Sequence, residues 1–192
     1  MATESRFVGV ALRVAEKVAP ARCEVVRGEA LLYQVAIDNH LELTVDVKAP
    51  PKRGQSAFQT DLCVFEKRRG LRIPRVVLEF KTRITTHDVL TYSAKARKHK
   101  QVYPYLRYGV VISEEAHIPG RVFTHNEALD FAVAAGGLKA AAFERLLGSL
   151  LRAELRASRR LEAVAFGESR IRVFRSEVRT AQTNDLRSRL GR

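Results

Sequence analysis

Residues 58–112 read FQTDLCVFEKRRGLRIPRVVLEFKTRITTHDVLTYSAKARKHKQVYPYLRYGVVI. Two strand-like runs, Phe58–Glu66 and Ile73–Thr82, flank the polar segment Lys67–Arg72, the pattern of a β-hairpin. Symmetry of that hairpin about Gly70 predicts that residues whose numbers sum to ~140 face each other across the ladder. Asp61 then stands opposite Glu79, on the same face and ~5 Å away at Cβ. Lys81 lies two residues further along the strand and points the same way. The other face carries Leu62, Val64, Leu78 and Phe80, so period-two alternation separates a polar face from a core face.

Beyond the hairpin, Thr86–Tyr103 is predicted as a helix, with Thr85 or Thr86 as its cap, Asp88 in its first turn and Pro104 as its stop. Arg107–Ser113, with Val110, Val111 and Ile112, reads as a short buried strand. A helix between two strands is a crossover, so the strands at 73–82 and 107–113 are expected to be parallel neighbours.

Residues 4–18 form an amphipathic helix, with Phe7, Val8, Ala11, Leu12, Val14, Ala15 and Val18 at helical spacing and Pro20 beyond it. Residues 28–39 fit either a helix or a strand. Leu41, Leu43, Val45 and Val47 alternate as in a strand. Ala49–Ser56, with two prolines and a glycine, reads as a basic loop. Downstream, a short helix is expected at His125–Ala135, a break at Gly136-Gly137 and a long helix at Leu138–Val164. Ile171, Val173 and Phe174 suggest a last strand, and Thr180–Arg192 a frayed end. The fold class is α/β, with a core over residues 1–135 and a basic helical segment, 136–192, packed on it or extending it.

The 192 residues carry 34 Lys and Arg against 21 Asp and Glu, a formal net charge of +13. From Lys139 onward alone there are thirteen basic residues against six acidic ones. Such a balance favours a polyanionic partner, since each neutralised phosphate releases condensed counterions. Nucleic acid leads and an anionic membrane surface trails. The two cysteines, Cys23 and Cys63, have no zinc-ligand spacing and suit a reducing compartment. His87, His99, His117 and His125 lack ligand spacing as well. The N-terminus does not resemble a signal peptide, and no apolar run approaches the ~20 residues that span a bilayer. A cytoplasmic protein with no membrane partner is expected.

Two carboxylates held ~4–5 Å apart repel by several kcal/mol at an effective dielectric of ~20. Such a pair persists by sharing a proton or by holding a cation. Oxygen-only ligation suits Mg²⁺ or Mn²⁺, which take one or two carboxylates and complete their shells with water and phosphate. Lys81 would orient the attacking water or stabilise charge developing on the phosphate. Lys95, Arg97, Lys98 and Lys100 on the crossover helix, together with Lys52 and Arg53 in the basic loop, are the candidate contacts to a DNA backbone.

At these residues the chain resembles the PD-(D/E)XK nuclease superfamily, of restriction-endonuclease-like fold. Asp61 on one strand, Glu79-Phe80-Lys81 on the next and the helix and strand that follow carry the resemblance, which covers about residues 58–113. It implies a mixed central sheet flanked by helices, metal held by Asp61 and Glu79, catalysis by Lys81, and Mg²⁺- or Mn²⁺-dependent cleavage of DNA. Many members add an acidic residue from a preceding helix, for which Glu29 is the candidate. One branch carries Gln-x-x-x-Tyr after its lysine; Gln101-Val-Tyr-Pro-Tyr105 matches in letters, although Pro104 disturbs the spacing. A position normally held by proline is Thr60 here. The resemblance leaves two forms of enzyme open, a restriction-type homodimer or a structure-selective nuclease, and a further class, a nucleic-acid-binding protein on a nuclease-like fold. Leu146/Leu150 and Leu147/Leu151 offer a dimer seam, or else pack on the domain.

Overall fold

The computed structural model describes residues 2–37, 39–41, 56–170 and 172–173. The expected strand at Leu41–Val47, the loop at Ala49–Ser56 and the frayed end fall wholly or largely outside these residues, as do Ile171 and Phe174 of the expected last strand.

Helix α1 (Ala2–Val18) is followed by β1 (Cys23–Arg27), β2 (Ala30–Leu32), β3 (Ala57–Gln59), β4 (Leu62–Arg68) and β5 (Leu71–Lys81). Next come α2 (Thr86–Val102), β6 (Arg107–Ile112), α3 (Gly120–His125), β7 (Phe131–Ala134) and α4 (Ala140–Ala165). Five strands make a mixed sheet in the order β1-β4-β5-β6-β7, and β2 and β3 form a separate two-stranded ribbon. The pairs β1/β4 and β4/β5 are antiparallel, whereas β5/β6 and β6/β7 are parallel. Helices cover both faces, as expected of α/β packing. Among the described residues no helix is long and apolar enough to cross a membrane.

Period-two alternation along β4 and β5 assigns the faces. Leu62, Val64, Val76, Leu78 and Phe80 pack with α1 and α4, through Val8, Ala11, Ala15, Leu147, Leu151 and Leu155. Phe7 meets Phe80 edge-on at 5.8 Å, a favourable ring geometry. Gly148 lets the two helices approach, because a Cβ there would lie 3.0 Å from Val18 Cγ1. Leu147 and Leu151 are therefore core, Leu150 packs against it, and Leu146 is left exposed. The opposite face carries Cys63, Phe65, Val77, Tyr108, Val110 and Ile112 under α2 and α3.

The β4–β5 hairpin reaches the expected register by an unexpected route. Its two-residue loop is Arg69-Gly70, both at positive φ (52° and 78°), the primed turn that matches strand twist. Arg68 thus faces Leu71, a pairing that by itself would set Asp61 against Leu78. A bulge intervenes: Phe65 faces Pro74 while Val64 faces Val76, so Arg75 is the extra residue. Pro74 has no N–H for the ladder, which makes this the natural position for an irregularity. Beyond the bulge Leu62 faces Leu78, and the numbers again run as predicted.

Several expectations are corrected. The run Phe58–Glu66 is not one strand. It breaks at Thr60-Asp61 because Thr60 N and Oγ1 both donate to Glu29 O, each at 2.9 Å, and β3 pairs with β2 instead. Of the two readings left open for residues 28–39, the described residues follow the strand, as β2. The helix expected at His125–Ala135 is α3 ending at His125, followed by β7. Asn126 Oδ1 accepts from the backbone of Ala128 and Leu129, turning the chain where a helix would continue. β1, whose Val25-Val26 pair was too short a signal, pairs along β4.

Candidate active site

Asp61 sits where β4 leaves the ladder. Its backbone carbonyl accepts from Gly28 N at 3.1 Å, and its side-chain Oδ2 accepts from Phe80 N at 2.8 Å. The carboxyl thus takes over a ladder donor that the departing strand no longer meets, which locks it beside β5. Glu79 lies on the same face, the α2 face, and is almost fully buried. Its Oε1 accepts from Lys95 Nζ at 2.6 Å and, in a very short bond, from Tyr108 Oη. Lys95 Nζ also donates to Gln59 O at 3.2 Å. Tyr108 reaches Glu79 diagonally from β6, where it pairs with Val77.

The electrostatics follow from this crowding. Asp61 is pushed up to about 6, first by burial and next by the negative charge of Glu79; the Phe80 N–H opposes the shift, a hydrogen bond with Glu79 adds to it, and Lys95 draws it back. Tyr108 is driven well above its ordinary range, first by burial and then by Glu79. Asp61 and Glu79 line a cleft of about 510 Å³ whose walls include Arg27, Phe58, Thr60, Tyr92 and Lys95. Across it, the ammonium of Lys95 lies 5.5 Å from the centre of the Tyr92 ring.

Sequence expectation and geometry part company at other positions. Lys81 shares the face of Glu79, but its Nζ lies 3.7 Å from Asp88 Oδ1 and does not line the cleft. Asp88 belongs to the capping box of α2: its Oδ2 accepts from Thr85 N and Oγ1, and Asp88 N donates to Thr85 Oγ1. Those bonds, with Lys81 behind them, outweigh burial and lower the Asp88 pKa. Glu29 is not brought to the pair. Its carboxyl faces Arg72 at 3.3 Å, and only its backbone serves the site, by holding Thr60. Gln101 is exposed in the last turn of α2, while Tyr105 packs under Arg75, 5.2 Å from ring centre to guanidinium carbon. The two do not share a face, because α2 ends at Val102.

The basic run of α2 is not one cationic face either, since consecutive helical residues turn by ~100°. Lys95 points to Glu79, His99 is wholly buried with Nδ1 2.8 Å from Leu32 O, and Lys100 pairs with Asp130 at 2.8 Å. Arg97 lies 3.7 Å from Glu127, and Lys98 is exposed. Lys52 and Arg53 lie outside the described residues. Cys63 is fully buried, and its thiol is pushed up by that burial.

Among the described residues no group of three or more His, Cys, Asp or Glu side chains is arranged to hold a metal ion. Among the described side chains, a cation here would draw on the carboxyls of Asp61 and Glu79. The bonds from Phe80 N, Lys95 and Tyr108 go to Asp61 Oδ2 and Glu79 Oε1, and the hydrogen bond between the two carboxyls would give way before both served as ligands. That donor set fits a hard divalent cation that retains several waters and shares a substrate phosphate.

Sequence reasoning missed Tyr108 and the inward role of Lys95. The alternation Tyr108–Val110–Ile112 on a strand parallel to β5 was the available signal for the first. For the second it was the spacing of Tyr92, Lys95 and His99, which puts Lys95 at the edge of the buried stripe of α2. Comparison of the chain with protein-family profiles and with curated protein sequences finds no match.

Proposed function

We propose that this chain is a Mg²⁺- or Mn²⁺-dependent endonuclease that hydrolyses phosphodiester bonds in DNA. The observation that carries the reading is the pair Asp61 and Glu79, held on one sheet face and lining an open cleft, with Lys95 Nζ 2.6 Å from Glu79 Oε1. A protein gains nothing in stability by burying two carboxyls together, and their mutual effect on Asp61 records that cost. The strand order, with an antiparallel hairpin carrying the acids and a crossover helix to a parallel strand, agrees with the nuclease resemblance. The net charge of +13 suits a nucleic-acid partner.

In this proposal Asp61 and Glu79 hold the cation, which when bound would polarise the phosphate and lower the pKa of a water. Phe80 N and Tyr108 fix the two carboxyls, so ligand oxygens need no reorganisation as substrate enters. The attacking water forms a bond to phosphorus, the P–O3′ bond breaks, the water's proton passes to solvent and the leaving oxygen takes one up. The products are a 5′-phosphate and a 3′-hydroxyl, as the resemblance implies.

The engagement of Lys81 with Asp88 favours a second reading, a nucleic-acid-binding protein on the same fold that does not cut. One assay separates them: supercoiled DNA with Mg²⁺ or Mn²⁺, for the parent and for Asp61→Ala. Nicking by the parent, lost in Asp61→Ala while a gel shift in EDTA persists, supports the enzyme. A parent that shifts DNA yet never nicks it with either cation supports the binding protein.

A further inference from the structure

The resemblance gives the working ammonium to Lys81, whereas the geometry points to Lys95. Building on the nuclease reading, we propose that Lys95 is the cationic group of this site. It occupies Glu79 while no divalent cation is bound, and turns to the substrate phosphate when one is.

Three observations converge. Lys95 Nζ contacts Glu79 Oε1 at 2.6 Å, inside the cleft, and retains about a fifth of its side-chain exposure. It is therefore tied to the carboxyl pair and still reachable by a ligand. Lys81 Nζ has Asp88 as its partner, an anion whose other oxygen is committed to the cap of α2. Withdrawing Lys81 into the cleft would separate it from that anion. The site also offers Lys95 a second resting place. Its Nζ lies 5.5 Å from the centre of the Tyr92 ring, a cleft wall that Lys81 Nζ also approaches, at 5.9 Å, so a short swing off Glu79 keeps a contact with the aromatic ring.

Charge explains the exchange. Two carboxyls facing one ammonium retain a deficit that a divalent cation fills better than a lysine does. Once displaced, an ammonium in the cleft meets the next anion available, the scissile phosphate, where a positive charge is worth most as negative charge builds in the transition state. A lysine, a compact point charge on a flexible stem, suits this movement better than arginine does.

The test compares the parent with Lys95→Gln, Lys95→Arg and Lys81→Gln, by calorimetric titration with Mn²⁺ and by steady-state cleavage of a DNA duplex. Removing the competing charge in Lys95→Gln is expected to tighten Mn²⁺ binding roughly tenfold, while Lys81→Gln stays within about twofold of the parent. In the same Lys95→Gln protein kcat should fall at least ~100-fold, more than in Lys81→Gln, with KM for DNA changed far less than kcat. Lys95→Arg keeps the charge and should keep the parent's Mn²⁺ affinity, which guards against a folding defect in Lys95→Gln. Unaltered Mn²⁺ affinity in Lys95→Gln, tightened affinity in Lys95→Arg, or a larger kcat loss in Lys81→Gln would each overturn the assignment. If the parent binds no Mn²⁺ and cuts nothing, the nuclease reading itself falls and takes Lys95 with it. A parent that binds and cuts beside an indifferent Lys95→Gln removes Lys95 alone.

Discussion

Leu62 faces Leu78 across the β4–β5 ladder, and that pairing brings the neighbouring Asp61 beside Glu79. It depends on the bulge at Arg75, because a one-residue slip sends every side chain of a strand to the other face. With the tight Arg69-Gly70 turn and no bulge, Asp61 would lie against the α1 face and the carboxyl pair would not exist. An irregularity at Arg75, in the middle of β5, thus decides whether the molecule has a site.

Arg75 is held by charge. Its side chain is 1% exposed and pairs with Glu66 at 2.8 Å and Glu162 at 2.7 Å, joining the bulge to the C-terminal turns of α4. Replacing it with methionine removes one partner from each carboxylate, while Arg159 stays 3.0 Å from Glu66 and Arg68 2.6 Å from Glu162, so the loss should fall below the ~3–5 kcal/mol of a fully broken buried pair. Urea unfolding measures it.

Tyr108 acts on the site through Glu79. Tyr108→Phe removes the donor to Glu79 Oε1 and leaves the ring stacked near His99. Loss of a bond that orients a ligand should lower Mn²⁺ affinity and cleavage about 10–100-fold. DNA binding in EDTA should be unaffected, because Tyr108 is wholly buried. A variant that cuts as the parent does would show that the Tyr108 hydroxyl is not needed to orient Glu79.

Asp61 gives the cation-free protein a distinctive pH response. Its pKa is raised from an ordinary 3.8 to about 6, so the folded state takes up a proton before the unfolded chain does. The stability tied to that proton is fully present below about 3.8 and is lost as pH rises through about 6. His99, lowered to about 4 chiefly by burial, has the opposite slope: its stability is present above about 6.5 and lost as pH falls toward 4. His99 is common to the parent and to Asp61→Asn, so it cancels in their difference. In EDTA, Asp61→Asn should melt above the parent at pH 8, with the gap closing as pH falls from about 6 toward 4. A gap that widens on acidification would contradict the raised pKa.

The residues on which the fold turns were readable because burial enforces period. Leu62, Val64, Leu78 and Phe80 could face one way only, and Thr85 and Asp88 announced the start of α2. Less readable were features set by tertiary partners. Thr60 ends a strand because Glu29 O lies within reach, Asn126 turns the chain where local propensity allowed a helix, and Glu29 turns to Arg72 across the sheet edge. Within the site, the sequence placed Asp61 and Glu79 together by register. It could not foresee that Asp88 would claim Lys81, or that Lys95 would lean inward from α2, since both depend on how the helix is set on the sheet.

The central claim is that Asp61 and Glu79 together form a divalent-cation site, and calorimetric titration of Mn²⁺ into the parent and into the Asp61→Asn, Glu79→Gln double variant tests it most directly. The geometry predicts saturable binding to the parent that is abolished in a double variant still folded by circular dichroism. Equal Mn²⁺ binding by the two proteins, or none by the parent, would contradict it.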